Sequence, residues 1–141
     1  MLIRLIATAA ALAATSGAAN AMPGRPLYAN LRGGLEVPGP GKLDARGTAT
    51  VRITPGRSRV CYTVNYNRIP LATMAHIHRG AAGVAGPPVL TLAMPRGGVS
   101  QSCANVPMDL AREMIERPGR FYVNVHSQAF PNGAIRGQLH R

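Results

Sequence analysis

The chain has no tryptophan, two phenylalanines and four tyrosines in 141 residues. Binding of nucleic acid through stacked bases needs a series of exposed rings between basic residues, and no such series is present. Carboxylates are nearly as scarce, with five Asp and Glu against sixteen Lys and Arg. No two of them stand in a recognisable acid and base arrangement, which leaves little material for glycoside or peptide hydrolysis. Ser127 adjoins His126, but neighbours in a strand face opposite ways, so they are not a nucleophile and base pair. Phosphate-binding, dinucleotide and haem-attachment motifs are also missing. Past the N-terminus no apolar run is long enough to span a bilayer.

The N-terminus reads as a secretory signal peptide. Arg4 supplies the positive start, Leu5 to Ala14 the short apolar run, and Ala19-Asn20-Ala21 the small residues of a cleavage site. Residues 1–21 are therefore expected to be removed, and residues 22–141 to form a single domain in the periplasm or outside the cell. The formal net charge is +11, of which Arg4 in the leader accounts for one. The basic residues are scattered without a run of three, which describes a solvated surface that concentrates small anions.

Cys61 and Cys103 are the only cysteines, and an exported chain meets an oxidising compartment, so a disulfide is expected. Closing a loop of about 43 residues would stabilise the fold by about 4 kcal/mol in the chain-entropy account. The alternative, two thiolate metal ligands, finds no support in a zinc-like spacing.

Gly and Pro, 16 and 12 in number, punctuate short segments of alternating apolar and polar residues. That pattern predicts an all-β fold, a Greek-key-like antiparallel sandwich or barrel. Eight strands are expected at 27–35, 47–53, 59–66, 72–78, 89–94, 99–103, 120–126 and 134–140, with Pro55-Gly56 turning the second into the third. One segment differs: from Pro107 to Glu116, Leu110 with Met114 and Ala111 with Ile115 recur at helical spacing, and Pro118-Gly119 ends the run.

Two of the four histidines lie in Met74-Ala-His-Ile-His-Arg-Gly80. In a strand His76 and His78 share a face, with Cα atoms roughly 6.5–7 Å apart, a separation from which two imidazoles can chelate one ion. In Phe121-Tyr-Val-Asn-Val-His126 the apolar set is Phe121, Val123 and Val125, so His126 falls on the opposite face with Tyr122 and Asn124. His140 falls likewise with Arg136 and Gln138, opposite Ile135 and Leu139. For His126 and His140 to share a face, the connection between their strands must be odd-numbered or bulged. The Gly-rich segment from Gly80 to Pro88 follows His78 directly and is the expected cover of the site.

Ala75-His-Ile-His-Arg-Gly80, Gly83, Gly86-Pro87, Tyr122-Val-Asn-Val-His126 and Pro131-Asn-Gly-Ala-Ile-Arg-Gly-Gln-Leu139 resemble the CHRD family, the domain named after repeats in chordin and found also in bacterial exported proteins. The resemblance spans about Leu27 to Leu139. Members commonly carry a Glu where this chain has Ala134. A more distant likeness is to copper/zinc superoxide dismutases, which place an H-x-H pair on a strand of a Greek-key sandwich and carry an intrachain disulfide. That likeness implies copper ligands at His76, His78 and His126, with His140 as a fourth; Met74, on the same strand parity as His76 and His78, and water are the alternatives for that place. The zinc half is missing here, because no histidine-rich zinc loop and no bridging histidine is present.

Three or four imidazoles suit copper first and zinc also. The expected partners are therefore a metal ion and a small anion such as superoxide, with no nucleic acid and no membrane span. Arg136 and Arg79 are the candidates for attracting that anion. The readings that follow are a copper-only dismutase, a copper buffer or tolerance factor, and a metal-free extracellular recognition or scaffold module.

Overall fold

The computed structural model describes residues 25–54, 56 and 58–141; the expected leader lies outside them, as does Pro55 of the expected turn. Eight strands form one sheet curled into a half-barrel. They are β1 (Arg25–Arg32), β2 (Arg46–Thr54), β3 (Arg59–Asn67), β4 (Ala72–Arg79), β5 (Pro88–Thr91), β6 (Val99–Asn105), β7 (Phe121–Ser127) and β8 (Ile135–Gln138). The spatial order is β5-β4-β7-β8-β1-β2-β3-β6, and all seven pairings are antiparallel. The predicted all-β architecture is thus present.

Alternation does most of the work. Leu27, Leu31, Val51, Ile53, Val64 and Ile77 turn inward and are almost wholly excluded from water. Each such side chain contributes roughly 1.5–3 kcal/mol of burial. The segment just past β5 reaches the other end of the sheet, where the Tyr62 hydroxyl of β3 accepts from the Ala93 amide and Ser100 of β6 donates to the Ala93 carbonyl. Helix α1 (Met108–Glu116) adds Leu110, Ala111 and Met114 to the core.

Element ends differ from expectation where loops take over. The first strand stops at Arg32 and turns through a 3₁₀ segment, Gly33–Leu35. Gly33 lies so close to Lys42 that a Cβ would sit 2.1 Å from its carbonyl oxygen. At the other end of the chain, β8 is short, yet the Tyr28 and His140 amides and carbonyls still exchange hydrogen bonds. The disulfide joins Cys61 and Cys103, cross-strand partners in β3 and β6.

Candidate metal centre

Two strand registers assemble the site. In the β4–β7 pair Met74 lies opposite His126, His76 opposite Asn124 and His78 opposite Tyr122. In the β7–β8 pair Asn124 lies opposite Arg136 and Tyr122 opposite Gln138. Ala75 and Ile77 are fully buried in the core, so Met74, His76 and His78 face away from it. His126 is diagonal to His76 on the neighbouring strand, within reach of a cross-strand contact.

One nitrogen from each of His76, His78 and His126 lies within 4.8 Å of the others. The tightest pair is His76 Nδ1 and His126 Nε2, 3.0 Å apart. Two nitrogens bound to one ion at about 2.0–2.1 Å stand about 2.9–3.4 Å apart for angles between square and tetrahedral, so this spacing suits a shared ion.

Hydrogen bonds choose which nitrogen each ring presents. His78 Nδ1 donates to the Gly86 carbonyl at 2.7 Å, and His126 Nδ1 to the Pro131 carbonyl at 2.9 Å. Both rings are left with a lone pair on Nε2. His126 Nε2 lies 3.0 Å from His76 Nδ1 and 3.1 Å from the end of the Asn124 carboxamide, which meets that lone pair as a donor when its NH₂ rather than its oxygen is turned to the ring. His78 Nε2 is buried with no hydrogen-bond partner among the described residues by the geometry of its contacts, the Asn124 side chain being a polar neighbour of the ring. A buried acceptor without a partner costs on the order of 1–3 kcal/mol, which an ion at that position would offset.

The charge state also favours metal. Burial first, then the neighbouring His126 and His78 rings, push the His76 pKa down to about 4. Burial lowers His78 and His126 as well, against the raising effect of their carbonyl partners. All three are neutral near pH 7, the form that coordinates.

Loops close the site as the Gly-rich sequence suggested. Gly86 is held against β4, where a Cβ would sit 1.7 Å from the Arg79 carbonyl oxygen, so only glycine brings this carbonyl to His78. Arg136 donates to the Ala81 carbonyl and Gln138 to the Gly80 carbonyl, and the Tyr122 hydroxyl accepts from the Gly86 amide. On the other side, the 128–134 connection carries Pro131 to His126. That connection has an odd number of residues, as the shared parity of β7 and β8 requires. Half-exposed His76 and exposed Met74 leave the site open to solvent.

The remaining sequence candidates are placed apart or differently. His140 has the expected parity but lies outside the histidine group: the β7–β8 register carries it to the opposite end of the sheet from His126, roughly 20 Å along the strand. It packs against the Tyr28 ring and contacts the Arg141 carbonyl. Arg79 is exposed, ion-paired with Glu113 at 2.7 Å and set over the Phe121 ring. Arg136 is only 1 % exposed and its guanidinium stacks on Tyr122 at 3.4 Å, while Tyr122 stacks in turn with His78. Its Nη1 is buried without a hydrogen-bond partner among the described residues. Sequence reasoning did not single out Tyr122, Asn124, Gly86 and Pro131; only their positions beside the histidine motifs hinted at them. Glu36 was missed entirely, a buried carboxylic acid under Gly133 whose pKa burial raises to about 7 against the lowering effect of Arg136.

The family model of the CHRD domain matches residues 27–139. No curated protein and no solved structure matches the chain.

Proposed function

This chain belongs to the CHRD family, and we propose that it is an exported copper-binding protein whose ligands are His76, His78 and His126. The observation that carries the reading is the unpartnered, buried Nε2 of His78 with two further imidazole nitrogens beside it. An all-imidazole set with no carboxylate in the group favours copper over the other divalent ions, with zinc second.

Copper bound there would supply one-electron redox chemistry, the requirement for dismutating superoxide to O₂ and H₂O₂. The chain's own residues fit that use. Half-exposed His76 leaves a solvent-facing side for a small anion, and Arg136 holds a guanidinium with no ion pair within contact distance among the described residues beside the His78–Tyr122 stack. Arg79 is the weaker source of attraction, because Glu113 already pairs with it. A site of this kind without turnover would be a copper buffer or tolerance factor.

Calorimetry of the purified protein with Cu²⁺ tests the reading, with one ion per chain expected and binding lost in the His76→Ala, His78→Ala double variant. Superoxide decay followed by pulse radiolysis separates the two uses. A rate above that of free copper supports the enzyme, and stoichiometric binding with no such rate supports the buffer.

A further inference from the structure

We propose that the outer face of β1, β2, β3 and β6, away from the histidines, binds an acidic polysaccharide. These four strands contain no Asp or Glu, and they carry Arg32, Arg46, Arg52 and Arg59 at solvent-accessible positions. Arg32 and Arg46 are direct cross-strand partners. Like charges set opposite one another cost stability, and none of these four arginines has an ion pair among the described residues. The chain's acids are spent elsewhere: Asp44 on Lys42, Glu113 on Arg79 and Arg120, Glu36 in the interior, and Asp109 and Glu116 on α1. An anionic partner supplies the charge that the fold withholds.

The arrangement specifies what kind of anion. Arg32 and Arg46 mark one end of the face, and Arg46 is braced by the carbonyls of Leu43 and Ala45. Arg52 and Arg59 mark the other end, six residues along β2, or roughly 20 Å. Between them the registers align Asn30, Thr48 and Asn65 in one row and Thr50, Thr63 and Gln101 in the next. Hydroxyls and amides in ordered rows match sugar hydroxyls, and guanidinium forks match the carboxylates or sulfates of an acidic glycan. Lys42 is the only lysine in the chain, so almost all of the basic charge is of the bidentate kind. Tyr28, 42 % exposed at the edge of the array, offers one ring to a sugar face. A single ring does not make the series that single-stranded nucleic acid requires.

Binding to immobilised alginate, which carries carboxylates, and dextran sulfate tests this at about 0.15 M salt. Arg32→Gln with Arg46→Gln, and Arg52→Gln with Arg59→Gln, should each weaken binding to one of these polymers by about tenfold, the scale of losing paired charge contacts. Arg112→Gln on α1 with Arg117→Gln at its C-cap removes the same charge and should change it by less than about twofold. Circular dichroism and thermal melting confirm that each variant is folded, and His76→Ala with His78→Ala should bind as the parent does. Equal loss in the α1 variant, equal binding to neutral dextran, or tighter binding to an oligonucleotide or anionic vesicle would each overturn the proposal.

Discussion

The Nδ1 of His78 lies 2.7 Å from the carbonyl oxygen of Gly86, eight residues on, and this bond aims the other nitrogen of the ring into the histidine cluster. A cross-strand pair and a loop carbonyl together thus fix a tautomer. Gly86→Ala should displace that carbonyl, because the new Cβ meets the Arg79 backbone. Outer-shell changes of this kind weaken metal binding by about 10–100-fold, and a copper titration of the variant measures it.

His126 and His140 share a face but not a neighbourhood. His126→Ala should remove a ligand and lower copper affinity by at least about tenfold, whereas His140→Ala should leave it unchanged. Competition with a chromogenic chelator resolves the two. A loss in the His140 variant equal to that in the His126 variant would exclude the three-histidine set.

The pH dependence of the metal-free protein sets two effects against each other. The three histidines have pKa values below their ordinary one, so the unfolded chain binds more protons, and stability falls as pH drops below about 6.5 toward 4. Glu36 has the opposite sign: its folded pKa of about 7 exceeds 4.5, so its contribution is present at low pH and is lost as pH rises between those values. Glu36→Gln should therefore gain on the parent with rising pH across that window, by about 2–3 kcal/mol in all. Urea melts at pH 4.5, 6 and 8 check it, and a gain that is the same at all three would contradict it.

The disulfide lies on β3 and β6, away from the strands that hold the histidines. Cys61→Ala with Cys103→Ala should cost about 2–4 kcal/mol in a denaturant melt, while the copper stoichiometry of the folded fraction stays at one.

Much of this was legible in the chain because β-strands report their faces directly. Ala75 and Ile77 against His76 and His78, and Val123 and Val125 against His126, sorted core from site before any pairing was known. Parity says nothing about position along a strand, however. His140 satisfied the same rule and still lies at the wrong end, because the β7–β8 register decides that distance. Nor does parity report loop carbonyls: Gly86 and Pro131 act through backbone oxygens, and although the glycine at 86 marks a close approach, nothing in the sequence says which histidine its carbonyl meets. Parity put Arg136 on the polar face and no further, and the covering of that face by the 80–87 loop makes it one of the most deeply buried side chains.

Pulsed EPR of the Cu²⁺-loaded protein, with His78→Ala and His140→Ala alongside, tests the central claim most directly. The account predicts one copper per chain with three coordinated imidazoles in the parent and the His140 variant, and two in the His78 variant. A parent spectrum without imidazole coupling, or one that survives the loss of His78 unchanged, would contradict it.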